Sequence, residues 1–225
     1  MPHGTAGPAS DRKEDEMADL QVLEYNVGDI GTNCYFLVNT STKETIIVDP
    51  GGDAPMLQRH IAEQGLKPVG IFLTHAHYDH AHHAKILKDA YQIPVYVHEA
   101  ERETLADVQI NASAMFGQPE TYEADVFLKD GQKFSLAGFD ILTLHTPGHT
   151  PGGACYYFED NKILVSGDSL FCGSIGRTDF PGGSMSSLVR SLREKVLVLP
   201  RDTEVLPGHM MRTTIGRECE YNPFL

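Results

Sequence analysis

The chain has 225 residues, a formal net charge of −13 and 41% hydrophobic residues. That length fits one large domain or two small ones, and the apolar fraction can bury a core without help from disulfides or oligomers. The negative charge argues against a nucleic-acid backbone as partner, because that affinity comes from Lys and Arg neutralising phosphates, and no apolar run approaches the ~20 residues that span a bilayer.

Residues 1–19 are rich in Pro, Gly and Ala and then charged, with Asp11-Arg12-Lys13-Glu14-Asp15-Glu16. They hold no apolar segment of the kind a secretory signal needs, so they read as a flexible tail ahead of one domain over 20–225. From Leu20 the pattern is β. Residues 20–27, 33–39 and 45–48 are short runs of β-formers, the last closing on Asp49-Pro50-Gly51-Gly52. Asp53 is placed to cap a helix running to about residue 64, with Gly65 as its stop. The apolar run 69–73 reads as a buried strand, and Thr74-His75-Ala76-His77-Tyr78-Asp79-His80 follows it. Residues 81–91 then show a helical face made by Ile86, Leu87 and Ala90. Residues 94–97 read as a strand, 99–107 as a helix and 108–124 as loop.

The second half repeats the scheme. Strands are expected at 126–128, 132–136 and 140–144, followed by His145-Thr146-Pro147-Gly148-His149-Thr150-Pro151-Gly152-Gly153. Two more, at 154–158 and 163–165, flank a polar turn, and the second runs into Ser166-Gly167-Asp168. A Gly-rich loop over 172–184 leads to a helix over 185–196, then to a strand at 204–206 that ends on Pro207-Gly208-His209. Two runs of strands, each followed by helices, imply an α/β fold with two sheets and helices outside, in one domain. Cys34, Cys155, Cys172 and Cys219 lie far apart with no CxxC spacing, which points to reduced thiols and a cytoplasmic setting.

The chemistry gathers at strand ends. His75, His77, Asp79 and His80 fall within six residues, and His149, Asp168 and His209 each follow a further apolar strand. Five imidazoles and two carboxylates are enough donors for two divalent ions with one shared carboxylate. Imidazole and carboxylate suit zinc first, with iron and manganese compatible.

Thr-His-x-His-x-Asp-His at 74–80, Pro-Gly-His-Thr at 147–150, Gly-Asp at 167–168 and Pro-Gly-His at 207–209, in this order, resemble the metallo-β-lactamase superfamily over nearly the whole chain after residue 20. The resemblance implies a four-layer αββα sandwich with the metals at one edge. It assigns His75, His77 and His149 to one ion, Asp79, His80 and His209 to the other, and Asp168 to both. Asp79 would also orient a bridging hydroxide that attacks a carbonyl carbon. Two divalent ions, two aspartates and one hydroxide leave a net charge of about +1, suited to an anionic tetrahedral intermediate.

The stretch Gly173-Ser174-Ile175-Gly176-Arg177-Thr178-Asp179-Phe180 and the C-terminal Thr213-Thr214-Ile215-Gly216-Arg217-Glu218 look like the short, glyoxalase-II-like hydrolases. The activity so implied is hydrolysis of a small-molecule thioester, S-lactoylglutathione or a related acyl-thiol. Full-length glyoxalase II carries a further helical domain that supplies much of its glutathione grip. This chain ends about where that domain begins, which leaves the thiol open. Met210 follows His209 where many relatives carry Gly.

Two rival activities share the pattern. Persulfide dioxygenases have a similar Gly-Arg-Thr-Asp-Phe loop and use one iron, which here would take His75, His149 and Asp168; the Pro-Gly-His at 209 favours two metals instead. In the true lactamase branch a cysteine is expected where Asp168 stands. His82 and His83 are expected to be bystanders, and His60, His98 and His145 surface or packing residues, with His145 a candidate to support a ligand from behind. His3 belongs to the tail. Arg177 and Asp179 are expected to form an ordinary structural salt bridge, the alternative being a buried pair that holds the loop near the metals; Cys172 is expected to be a packed thiol, and Tyr35, Tyr78 and Phe171 are candidates to line the pocket.

Overall fold

The computed structural model describes residues 19–225, so the tail expected over 1–19 lies outside the described residues except for Asp19. β1 (Leu20–Val27), β2 (Thr32–Asn39) and β3 (Glu44–Val48) pair antiparallel in sequence. β4 (Lys67–Phe72), β5 (Val95–His98) and β6 (Val126–Leu128) extend the same sheet in parallel. The connections are helical: α1 (Ala54–Glu63), α2 (Tyr78–Ala81), α3 (Ala84–Tyr91) and, after a 3-10 turn at Glu99–Glu101, α4 (Arg102–Ala106). The second sheet has the order β14-β13-β10-β9-β8-β7. Its members are β7 (Lys133–Leu136), β8 (Phe139–His145), β9 (Ala154–Phe158), β10 (Ile163–Gly167), β13 (Glu204–Pro207) and β14 (Thr213–Thr214). A small hairpin, β11 (Leu170–Phe171) with β12 (Ser174–Ile175), and two helices, α5 (Met185–Ser191) and α6 (Ile215–Tyr221), complete it.

β2 is buried along its whole length. Successive side chains point to opposite faces, so a strand covered on both sides must be apolar on both. Cys34, Phe36 and Val38 pack with Leu57 of α1 and Leu87 of α3. Tyr35 and Leu37 pack with Tyr156, Phe158 and Leu206 of the second sheet. A third cluster joins Cys155, Tyr157, Leu164 and Val205 to Leu188 of α5 and Ile215 of α6. Three apolar layers between four layers of backbone make the αββα sandwich. Phe72 sits at its centre, with ring centroids 4.9 Å from Tyr156 and 5.1 Å from Tyr96. No helix of the described residues is long and apolar enough to cross a membrane.

β1 to β10 and β13 fall within a residue or two of expectation, whereas β11, β12 and β14 were not expected; the helices depart from it in instructive ways. The helix expected over 81–91 is two, broken at His82 and His83, because His83 Nδ1 accepts the backbone N–H of Ala54 at 2.9 Å and is drawn toward α1. Asp53 does not cap α1: it is left-handed, with φ 52°, and its carboxylate accepts Gly28 N–H at 2.8 Å. The helix expected over 185–196 ends as α5, and Leu192–Val196 forms a π turn. α6 was not expected; Thr214 starts it by accepting Arg217 N–H at 3.2 Å.

The topology places the polar loops. β3 runs parallel to β4, and β10 parallel to β13. β8 lies antiparallel to β9, which lies antiparallel to β10, so β8, β10 and β13 all point one way. Loops leaving the C-terminal ends of parallel strands share one edge of the fold, the usual place for a site in α/β sheets.

Candidate metal centre

Leaving β4, the chain turns so that His75 and His77 face inward with 1% and 4% exposure, and His149 arrives from the β8–β9 loop at 4%. His75 Nε2 lies 3.1 Å from His77 Nδ1 and 3.2 Å from His149 Nε2; His77 Nδ1 lies 2.9 Å from His149 Nε2. The other ring nitrogens say what meets there. His149 Nδ1 donates to the Arg177 carbonyl at 2.8 Å. The Thr74 hydroxyl donates to Asp49 Oδ2 at 2.7 Å, and so accepts from His75 Nδ1 at 3.1 Å. With those protons placed, His75 and His149 bring lone pairs to a common point.

A second triad stands beside it. His80 Nδ1 donates to Asp49 Oδ2 at 2.9 Å, which leaves His80 Nε2 facing Asp79 Oδ2 at 3.5 Å. His209 Nε2 lies 3.2 Å from the same Asp79 oxygen. Asp168 reaches both triads: Oδ1 is 3.4 Å from His80 Nε2, and Oδ2 is 3.6 Å from both His149 Nε2 and His209 Nε2. All seven residues singled out in the sequence therefore converge.

Electrostatics separates the halves. Burial, reinforced by neighbouring imidazoles, holds His75 well below the usual histidine range and His77 down at about 3. Burial would lower His80 too, but Asp79, Asp168 and Asp49 overcome it and hold His80 well above that range. His209 is raised despite burial by its bond to Asp79 and the charge of Asp168. Burial alone would raise Asp79 and Asp168, yet both are lowered, chiefly by His80. Burial thus favours neutral imidazoles at His75 and His77, whereas the carboxylates of the second triad raise His80 and His209.

The arrangement fits bound divalent cations. The donor atoms of three groups, His75/His77/His149, His75/His80/Asp168 and Asp79/His80/His209, each lie within 4.8 Å of one another. His80 Nε2 and Asp168 Oδ1 are buried without a hydrogen-bond partner, and buried polar atoms seldom go unpaired. Gly208 keeps the space open: a Cβ there would stand 2.3 Å from Asp168 Oδ1 and 2.7 Å from His80 Cε1.

Four supporting residues were not anticipated. Asp49 takes Thr74 N–H at 2.8 Å as well as the Thr74 hydroxyl and His80. Glu101, fully buried, accepts Ala76 N–H at 2.9 Å, the Thr150 hydroxyl at 2.6 Å and Gly152 N–H at 2.7 Å. It thereby ties the loop of His75 and His77 to the loop of His149. Burial pushes its carboxyl above the usual range, against the pull of those three donors. Thr32 donates to Asp79 Oδ2 at 2.9 Å. Asn33 donates to the carbonyls of Pro207 at 3.1 Å and Met210 at 2.9 Å, bracketing His209.

Arg177 and Asp179 do pair, bidentate at 2.7 and 2.8 Å, but in the open and not buried: their side chains are 56% and 68% exposed. His82 pairs with Glu120, and His145 stacks on His98 with centroids 3.9 Å apart, away from the triads. Phe171 lines the cavity over the two triads, whereas Tyr35 is buried with its hydroxyl on the Pro207 carbonyl and Tyr78 stacks on Phe116. That cavity, of about 440 Å³, opens onto His77, Asp79, His149, Asp168 and His209.

Comparison with known proteins agrees with this geometry. The metallo-β-lactamase superfamily profile matches residues 27–209. A probable metallo-hydrolase of Bacillus subtilis, YqgX, is 42% identical over 88% of this chain and 94% of its own length. The hydroxyacylglutathione hydrolase GloC of Haemophilus influenzae is 38% identical over 86% of this chain and 92% of its own. Among solved structures, BLEG-1 B3 metallo-β-lactamase superposes with a TM-score of 0.87 at 42% identity, over 91% of this chain and 99% of that one. TTHA1623 in a di-iron-bound form gives 0.80 at 35%, over 91% and 100%. With its αββα sandwich, its two converging triads and these relatives, the chain belongs to the metallo-β-lactamase superfamily.

Proposed function

We propose that this metal-dependent hydrolase cleaves a small-molecule thioester, S-lactoylglutathione or a related acyl-thiol, with two divalent ions at the paired triads. The observation that carries hydrolysis over one-iron oxygen chemistry is the intact second triad: Asp79, His80 and His209 converge, and His80 Nε2 is buried there without a hydrogen-bond partner. The 38% identity to a hydroxyacylglutathione hydrolase supports the thioester.

When bound, such ions polarise a carbonyl oxygen and lower the pKa of a coordinated water so that it is nucleophilic near neutral pH. His75, His77 and His149 would hold one ion and Asp79, His80 and His209 the other, with Asp168 shared. The protein's own part is orientation. Asp49 and the Arg177 carbonyl fix the tautomers of His80 and His149, so each presents Nε2 inward. Thr32 fixes Asp79 at the oxygen that faces both His80 and His209. The net reaction adds water across the C–S bond and yields a carboxylate, a thiol and a proton.

A second reading, β-lactam ring opening, draws on the 42% identity to BLEG-1. Both are tested on protein of measured metal content, with S-lactoylglutathione, a non-glutathione lactoyl thioester, a chromogenic cephalosporin, and oxygen uptake on glutathione persulfide. The expected result is thioester hydrolysis without oxygen uptake. Two bound metals with no turnover of any thioester would overturn the proposal.

A further inference from the structure

Resting on the thioester reading, we propose that the thiol half of the substrate is apolar and uncharged, and that Met210 and Asp179 select it. The cavity over the metal centre is walled by apolar side chains. Ile30, Phe116 and Met210 line it while remaining 39%, 45% and 57% exposed, and Phe171 and Phe180 stand further in. Large apolar groups scattered singly over a surface need no explanation, but several converging on one concave site mark a ligand surface. Phe116 is preorganised by stacking on Tyr78, centroids 5.4 Å apart at 15°.

Met210 is held there against its backbone preference. Its φ is +68°, a region where a side chain is unfavourable and glycine is the ordinary occupant. The Asn33 amide holds the strained turn through the Met210 carbonyl. A large apolar side chain kept in a strained conformation, exposed, directly after His209 and over the cavity is better explained by a ligand than by the fold.

The charges agree. Among the described residues that line the cavity, Arg177 is the only Lys or Arg. Asp179 occupies its guanidinium fork side-on, and the guanidinium carbon stands over the Phe180 ring, 3.9 Å from its centroid. Glutathione brings two carboxylates, and the one Lys or Arg among the described lining residues is already paired. An exposed pair of this kind adds little to stability; its consequence is the loss of a positive field at the entrance.

The test compares lactoyl thioesters of glutathione, N-acetylcysteamine and benzyl mercaptan on the metal-loaded enzyme. Calorimetric binding of the matching non-hydrolysable thioethers is measured in parallel. The benzyl compound is expected to exceed the glutathione compound about tenfold in kcat/KM, the worth of one well-buried apolar group, with the same order in binding. Met210→Gly, which suits the backbone conformation, should narrow that preference by raising KM for the benzyl thioester. Asp179→Asn should narrow it from the other side, by lowering KM for the glutathione thioester. A glutathione thioester hydrolysed as well as or better than the benzyl one would overturn this inference and leave thioester hydrolysis standing. No hydrolysis of any of the three with two metals bound would overturn the thioester reading itself, and this inference with it.

Discussion

His75, His77 and His149 are almost sealed from solvent, whereas the His209 side chain in the second triad keeps 23% of its surface exposed and Asp79 keeps 17%. The supports differ in the same way. One buried carboxylate, Glu101, joins both loops that carry the first triad. The second is held by several smaller contacts, from Asp49 to His80, Thr32 to Asp79 and Asn33 to the backbone around His209. A closed triad whose two loops share one buried carboxyl group should fail all at once. An open triad with distributed supports should fail piecemeal.

Removing one imidazole from each triad is the sharpest way to break that comparison. His77→Ala should lower thioester turnover by at least about 10³-fold, the scale of losing a catalytic metal's placement. His209→Ala should leave a larger residual rate and about one metal per chain, read by elemental analysis alongside kinetics. Equal losses of metal from the two variants would mean that the triads are not independent.

Glu101 tests the single support. Glu101→Ala strands Ala76 N–H, Gly152 N–H and the Thr150 hydroxyl in a buried site, and each unpaired group costs about 1–3 kcal/mol. A total loss of about 3–5 kcal/mol is expected in chemical denaturation, together with loss of metal from the first triad. Glu101→Gln keeps the shape and one acceptor oxygen, so it should fall between. A Glu101→Ala protein with wild-type stability would show that the loops hold themselves. Asn33→Ala is the counterpart for the second triad. It frees the Pro207 and Met210 carbonyls, although the Tyr35 hydroxyl still serves Pro207 at 2.8 Å. About 2 kcal/mol should be lost, with metal retained at the first triad.

How legible each half was in the sequence follows from where its residues sit. The seven converging residues lie at the ends of apolar strands, in dense motifs, so both the fold and their convergence could be read from runs such as 69–80. Asp49 carries the same signal, an acid closing the apolar run 45–48, and could have been found by asking what else shares that edge. Glu101 gave none. It lies in a polar helical stretch beside Glu99 and Glu103, and only the tertiary approach of residues 76 and 150–152 singles it out. Local sequence likewise could not show that Asp53 would turn left-handed to meet Gly28, 25 positions away. Nor could it show α6, whose first turn contains Gly216, a poor helix former.

The smallest expected effect tests the floor beneath the first triad. His98 is 4% exposed and stacks on His145, with Nε2 unpaired and Nδ1 accepting Ala100 N–H at 3.3 Å, so it opens the turn that contains Glu101. His145 Nε2 in turn donates to the Pro151 carbonyl in the His149 loop. Burial, with the neighbouring His145, pushes His98 down to about 4. An unfolded histidine titrates near 6.5, so between these values the unfolded chain binds a proton that the folded chain refuses. Stability is therefore complete above about pH 6.5 and falls as the pH drops toward 4. About 1–2 kcal/mol should be lost between pH 7 and pH 5. His98→Phe, which can keep the stacking and cannot titrate, should flatten that part of the profile in denaturant titrations at each pH. The same slope in the variant would place the acid sensitivity elsewhere, and the floor of the first triad would then be as indifferent to pH as a purely apolar one.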